Sequence, residues 1–509
     1  MSKAVSRRAV LKAGLTGAGV WLGGTSVAGL VGRAAAAAPP FRPATAALPG
    51  SEADLAYLTI AEASDLIARR RLSPVELVDA CLSQIERLEP GIRAWVTVLA
   101  DQARADARKA AGEIARSGPR SPLHGIPFGH KDLYDVKGVR TSAGSRVRAD
   151  APPAPADATV VRRLRNAGVI VLGKTNTHEF AFGVWTPPTS NPWDPSRIPG
   201  GSSGGSGAAL AAGMALGATG SDTGGSIRIP SSLCNAVGIK PTFGRVSKAG
   251  LVPLAWSLDH AGPLARSVED CALLLNVMAG PDPADSTTAA APPPDFTSGL
   301  GKSVRGKVIG VPTSVFFDGA DSETERLVNE AAGVFESQGA NVVPLEMPAS
   351  QRVAGTAYLV MQLVEPLAAH EHHLRRRPQD YQQQTQALFG LGAAWHGQHY
   401  LRAQRIRTVN VREWLEVFHT VDAVLTPTTP RPAPLKEEAE GSGVFDLVNY
   451  TSFFDFNGCP SISVPAGLTA EGLPVGLMLS ARPFGEVGLL RIAHAYQEAT
   501  GFNRLRPPL

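Results

Sequence analysis

Cysteine is scarce in this chain. There are four in 509 residues, Cys81, Cys234, Cys271 and Cys459, and no two form a Cys-x-x-Cys pair. That argues against a disulfide framework and against a cysteine zinc site. Charge of one sign is also in short supply. The formal net charge is +4, and residues 1–38 alone carry Lys3, Arg7, Arg8, Lys12 and Arg33 with no acid, a contribution of +5. The remainder is then −1, so no nucleic-acid partner is implied. Long apolar runs are missing beyond Ala13–Val31, a 19-residue stretch weakened by Gly and Thr. The eleven histidines supply no obvious triad base. His370-Glu371-His372-His373 is followed by Leu374-Arg375-Arg376-Arg377. Three cations beside neutral imidazoles would oppose a divalent ion, so this run reads as a solvated helix face and no metal is expected. His396 and His399 read as surface residues.

What is present begins with a leader. Ser6-Arg7-Arg8-Ala9-Val10-Leu11-Lys12 looks like a twin-arginine export signal, followed by the mildly apolar segment and by Ala34–Ala38, a small-residue cleavage pattern. The other reading is a single N-terminal anchor, for which the segment is barely long enough. We expect residues 1–38 to be a removable signal, residues 39–50 a Pro/Ala-rich linker and residues 51–509 one folded domain. The expected location is periplasmic or extracellular, without stable membrane insertion after cleavage. Few cysteines and no paired ones fit a protein that folds in a reducing cytoplasm before export.

Along the domain, Thr59-Ile60-Ala61-Glu62 and Ser73-Pro74-Val75-Glu76 are capping boxes that open two helices. The second carries Leu77, Val78, Cys81, Leu82, Ile85 and Leu88 at amphipathic spacing, and Glu89-Pro90-Gly91 is expected to stop it. Strands are predicted at Trp95–Leu99, Val169–Leu172, Val308–Val311 and Asn341–Leu345. Helices are predicted over Val160–Ala167, from near Ser206, and over 321–338. Strands alternating with helices predict an α/β sheet covered on both faces. Pro281 to about Gly301 reads as a long surface connection, and residues 350–420 as a helical excursion.

Chemistry concentrates in two Gly/Ser loops and one lysine. The loops are Gly200–Ser206 (GGSSGGS) and Ser221–Arg228 (SDTGGSIR), and the lysine is Lys131 in HGIPFGHKD. A serine hydroxyl is a poor nucleophile until a base takes its proton. A run such as Thr223-Gly224-Gly225-Ser226 can turn several N–H groups into one cavity and hold an oxyanion. Ser226 ends that run. Gly200–Gly204 also fits Gly-x-Ser-x-Gly, the nucleophile elbow. That motif needs a strand just before it, and Thr186–Pro199 is a Pro-rich loop instead. Either loop alone reads as a connector packed under a helix.

Together, Lys131, Ser202 and Ser226, the last two 24 residues apart, resemble the amidase signature family. The likeness runs from about Leu58 to the C-terminus and includes Lys240–Ser247, Leu425–Pro430 and Gly472–Ser480. It implies one large α/β domain with a mixed central sheet covered by helices on both faces. It also implies Ser226 as nucleophile, Ser202 as the serine that relays its proton, and Lys131 as the neutral base. Thr223, Gly224, Gly225 and Ser226 would form the oxyanion hole. Asp222 and Arg228 would brace the loop, with Ser203 beside them. No cofactor is implied. His130, next to the lysine, departs from the family's aliphatic residue.

The implied activity is hydrolysis of small neutral amides through an acyl-enzyme. The alternatives are a carbamate or ester hydrolase using the same residues and a binding protein with an idle site. Export does not suit the tRNA-linked glutamine amidotransferase role, which is cytoplasmic and needs partner subunits. Phe180, Phe182 and Trp185, with Phe453-Phe454, are candidate pocket residues or core. The expected partner is a small-molecule amide, and a homodimer is left open.

Overall fold

Both capping boxes form. The Thr59 and Ser73 side chains each accept a main-chain N–H, and Glu62 and Glu76 reach back to the cap residues. These bonds open the helices Ile60–Ala68 and Pro74–Ile92. The second helix does not stop at Glu89-Pro90-Gly91. It runs through Pro90 to Ile92 and ends on Arg93 at φ 57°. Glu89 makes this end possible, because its carboxylate accepts the N–H groups of Ala94 and Trp95, both at 2.9 Å. The computed structural model describes residues 46–441 and 444–509. The leader, its cleavage pattern and residues 39–45 of the linker lie outside the described residues.

Among the described residues eleven strands make one sheet: β1 (Trp95–Val98), β2 (Pro127–Lys131), β3 (Ile170–Thr175), β4 (Gly217–Asp222), β5 (Val237–Lys240), β6 (His260–Ala265), β7 (Val308–Pro312), β8 (Asn341–Leu345), β9 (Ala423–Pro427), β10 (Ser461–Leu468) and β11 (Pro474–Ser480). Their order is β1-β3-β2-β4-β6-β5-β10-β11-β9-β7-β8. β2 pairs parallel with β3 and β4, and β7 pairs parallel with β8 and β9; the other ladders are antiparallel. Most central strands are buried along their whole length, so apolar and small residues do not alternate with polar ones, and polar residues such as Lys131, Lys174 and Asp222 gather toward the strand ends. The sheet is mixed and flanked by helices, as expected for an α/β domain of the amidase-signature type.

The parallel trio fixes the place of any site. β3, β2 and β4 all point the same way, so their C-terminal ends and the loops that follow share one edge. Lys131 ends β2 and Asp222 ends β4. Thr175 ends β3 and leads into the loop that carries Ser202. Ser206 ties these parts together: its hydroxyl bonds Thr175 Oγ1 at 2.8 Å and the Thr219 carbonyl at 2.9 Å.

Residues 350–420 are helical, as predicted: Gln351–Arg376, Gln383–Leu391 and Gly397–Thr420. His370 departs from the solvated-face expectation. It is 4% exposed, its ring stacks on Phe389 at 4.9 Å, and Nε2 lies 3.2 Å from the Pro253 carbonyl. Helical spacing explains this, since residue 370 shares a face with the buried Leu363 and Pro366. Among the described residues no helix is long and apolar enough to cross a membrane.

Candidate active site

Lys131 is buried at the end of β2. Its main-chain N–H donates to Thr219 Oγ1 at 2.9 Å. Its Nζ reaches Ser202 Oγ at 2.7 Å and Ser221 Oγ at 2.9 Å. Burial pushes the amine down to about 7, although the Asp222 and Asp259 charges pull the other way. At neutral pH a large fraction is therefore uncharged. His130 precedes it on the strand and so faces the other side of the sheet. There it tilts against Phe128 at 5.2 Å, and burial pushes its imidazole down to about 3. It is a neutral packed residue on the face away from the amine.

Ser202 follows a cis peptide bond after Gly201. Its carbonyl accepts from the His178 amide at 3.1 Å and from Thr186 Oγ1 at 3.0 Å, which seats the first loop against the 176–186 segment. The Ser203 amide donates to the Ser226 carbonyl at 3.2 Å. That bond joins the two Gly/Ser loops. Ser203 Oγ lies 3.4 Å from the Ser221 carbonyl. The Ser226 hydroxyl has no hydrogen bond among the described residues, and Ser226 lines a cavity of about 420 Å³.

The turn Thr223–Ser226 is held from behind by a carboxylate. Asp222 accepts the Gly225 N–H at 2.5 Å and the Ile227 N–H at 3.0 Å. This corrects the expectation for Gly225: its amide is committed to Asp222 and does not join an open oxyanion set. Thr223, Gly224 and Ser226 line the cavity, whereas Gly225 does not. Gly225 sits at φ 138°, where a Cβ would meet Thr451 Oγ1 at 2.2 Å. The Thr223 side chain is fixed separately, through a 2.6 Å bond to Asp259 Oδ1.

Arg228 grips Asp222 with two nitrogens, Nε at 3.0 Å and Nη2 at 2.9 Å, and reaches Asp455 at 2.5 Å. All three side chains are fully buried. Burial alone would raise the Asp222 carboxyl, yet the Arg228 charge and hydrogen bonds hold it well below its ordinary value. Burial and the Asp222 charge push Asp455 well above its own. Arg228 thus bridges two buried carboxyls whose charges oppose each other, and the pull toward the charged form falls on Asp222 rather than Asp455.

Sequence reasoning missed Ser221, Asp259, Asp455 and Tyr358 as parts of this site. Ser221 was within reach: it lies two residues from Thr219 on β4, so both face Lys131. Of the aromatic candidates, Phe182 and Phe453 line the cavity. Phe180 does not; its ring centroid is 4.3 Å from that of His370 and 5.5 Å from that of Tyr381, in a cluster behind the wall that Phe182 and Leu363 also join. Trp185 packs beside Val184, Ile198 and Ile229 rather than on the cavity wall. Phe454 is core, against Trp414 and Phe316. His178 is buried with its imidazole pushed down to about 4 by burial, and it packs on Gly183 of the wall. Among the described residues no cluster of three His, Cys, Asp or Glu side chains is arranged to hold a metal.

The family match and the solved relatives define an enzyme class for this fold: hydrolases of carbon–nitrogen amide bonds. The chain belongs to the amidase signature family, whose model, described as Amidase, matches residues 76–490. It is similar to an amidase of Pseudomonas putida, 43% identical over 465 residues, covering 89% of this chain and 98% of the relative. It is also similar to a glutamyl-tRNA(Gln) amidotransferase subunit of Myxococcus xanthus, 40% identical over 485 residues, covering 89% and 100%. Among solved structures it resembles a peptide amidase in complex with the competitive inhibitor chymostatin, at a TM-score of 0.80 and 33% identity, covering 90% of this chain and all of that one.

Proposed function

We propose that the protein hydrolyses small neutral amides through an acyl-enzyme on Ser226, with Ser202 and Lys131 relaying the proton. The observation that carries this reading is the 2.7 Å contact of the buried Lys131 amine with Ser202, whose chain neighbour Ser203 donates its amide to the Ser226 carbonyl. In the first step Ser226 Oγ attacks the carbonyl carbon. Its proton passes to Ser202 Oγ while the Ser202 proton passes to Lys131 Nζ. The tetrahedral oxyanion takes hydrogen bonds from amides of the Thr223–Ser226 turn other than that of Gly225, which Asp222 holds. The C–N bond then breaks, and the relay returns the proton to the leaving nitrogen. Water attacks the acyl-enzyme by the same relay and releases the carboxylate. The Ser226–Ser202 contact closes on the bound substrate, as catalytic hydrogen bonds often do.

The cavity wall supports a neutral substrate. Its lining is mostly apolar, including Phe182, Val184, Leu359, Leu363 and Phe453, and carries no charged side chain among the described residues. The −1 charge of residues 39–509 gives no strong steering of ions. An ionised substrate such as glutamine would lose its hydration against this wall without gaining a counter-charge. The test is a panel of amides, esters and carbamates on the purified protein, with Ser226→Ala as control. Turnover by the wild type, none by Ser226→Ala, and fluorophosphonate labelling at Ser226 are the expected results. Retained turnover in Ser226→Ala would overturn the assignment, and faster ester or carbamate turnover would move it to that class.

The same reading extends to location. Residues 1–38 act as a twin-arginine export signal, supported by Arg7-Arg8, the weakly apolar stretch and Ala34–Ala38. Changing both arginines to lysine should leave full-length precursor inside the cell. An intact leader on soluble wild-type protein would contradict this.

A further inference from the structure

The helix Gln351–Arg376 lays one face along the cavity: Gly355, Tyr358, Leu359, Gln362 and Leu363. This is the i, i+3, i+4, i+7, i+8 spacing of a single helix face. Tyr358 marks the reacting end. Its hydroxyl oxygen is so close to Gly224 that a Cβ there would lie 2.2 Å from it. Gln362 stands one turn further along the helix, about 6 Å from Tyr358 at 1.5 Å rise per residue.

Gln362 is out of character with the leucines around it. Its Oε1 is buried without a hydrogen-bond partner and, as the side chain stands, has no surface open to the cavity. A buried amide oxygen left unpaired loses the water it bonded in the unfolded chain and gains nothing in exchange. On an apolar wall, leucine or methionine would fill the same space at less cost. The other polar side chains of the lining lie elsewhere. Thr223, Ser226 and Tyr358 are at the reacting end, and Asn449 and Ser452 come from the segment after Phe445.

We infer that Gln362 is a specificity-determining residue, and that preferred substrates carry a second neutral amide about 6 Å from the scissile carbonyl, separated from it by an apolar spacer. Turned toward the cavity, the Gln362 carboxamide is both donor and acceptor, and another amide is its full complement: N–H to Oε1 and Nε2–H to the carbonyl oxygen. A cation or a carboxylate would satisfy only one of these and would pay the desolvation of its charge. The spacing corresponds to roughly four methylenes between two carbonyls. The inference rests on the proposed amide hydrolysis at Ser226 and adds the class of acyl group.

The experiment compares two neutral amides of equal length, adipamide and heptanamide, on the full-length mature protein. With wild type, kcat/KM for adipamide is expected to exceed that for heptanamide by roughly 10- to 100-fold, the range for satisfying one otherwise unpaired buried group. In Gln362→Leu and in the near-isosteric Gln362→Met, the ratio should fall to one or invert, because the apolar replacement favours heptanamide. Stoichiometric fluorophosphonate labelling of Ser226 identifies folded variant. A wild type without preference overturns the inference with no variant needed. So does an unchanged ratio in a variant that still labels. If wild type hydrolyses neither amide, the reaction assignment fails instead. Protection of Ser226 from labelling then decides Gln362: adipamide should protect at lower concentration than heptanamide in wild type only.

Discussion

The Thr223 hydroxyl donates to Asp259 Oδ1 over 2.6 Å, so the first residue of the glycine-rich turn is pinned to the chain just ahead of β6. Asp259 is itself immobile. Its two oxygens also accept the amides of Leu254 and Ala255, at 2.9 to 3.1 Å. A turn with two consecutive glycines has little stiffness of its own. Asp222 holds it at Gly225 and Asp259 at Thr223, and together they set where the remaining amides point.

Asp259→Asn keeps the size of the side chain and removes its charge. We expect kcat to fall roughly 10- to 100-fold with KM within about threefold, because a loosened donor acts on the transition state. A purely structural role would leave the pH profile where it was. Here the acid limb of kcat/KM should also move to lower pH, because the Asp259 charge raises the Lys131 amine and its removal lets the amine fall further. An unshifted limb with an unchanged kcat would refute the positioning role.

Lys131 gives the wild-type profile its sign. The proposed relay needs the free base, and burial brings the amine down to about 7. The competent fraction is therefore small well below that pH and grows as pH rises through it. We expect kcat/KM to rise to a plateau above neutrality, with no acid optimum. Lys131→Arg keeps a cation that does not deprotonate in this range, and activity should drop by several orders of magnitude in a folded protein. Activity within about tenfold of wild type would contradict the relay.

Lys131, Ser202 and Ser226 could be marked as candidates in the sequence because the motifs of the family it resembles fall on them; either loop alone would have read as a connector. The parallel order of β3, β2 and β4 then brings them to one edge. The partners that tune them were not legible. Asp455 meets Arg228 across 227 residues, and Asp259 meets Thr223 across 36, with no repeat or motif joining them. The sheet itself could be foreseen from alternating strands and helices, but not its mixed order, which depends on tertiary pairing. Phe180, Phe182 and Trp185 show the limit in another way. Each is an aromatic near the first loop, and only the tertiary packing, with Phe180 against His370 and Trp185 behind Val184, separates them from Phe182 on the cavity wall.

Arg228 separates bracing from catalysis. Arg228→Ala would leave Asp222 and Asp455 facing each other in a buried site, and should cost about 3–5 kcal/mol of unfolding free energy. Asp455→Asn should cost much less, about 1 kcal/mol or below, because the carboxyl it replaces is pushed toward its neutral form and an amide oxygen still accepts from Arg228. Urea unfolding followed by fluorescence measures both. Equal losses would mean that Asp455 is ionised in the folded protein.

Gly224 and Tyr358 make the sharpest steric test of the site. A Cβ on Gly224 would sit 2.2 Å from the Tyr358 hydroxyl oxygen and 3.2 Å from its Cζ. Something must move, and both partners are parts of rigid structure: the loop is tied to Asp222, and Tyr358 lies mid-helix. Gly224→Ala should therefore displace the turn and lower kcat by about 100-fold or more, in line with loss of a well-placed oxyanion donor. Tyr358→Phe removes the clashing oxygen, and the remaining 3.2 Å approach needs a shift of only a few tenths of an ångström. The double variant should recover at least tenfold of the activity lost in Gly224→Ala. Tyr358→Phe alone measures what the hydroxyl itself contributes, so the coupling follows from the four-membered cycle. Additive losses would show that the turn and the helix do not meet as described.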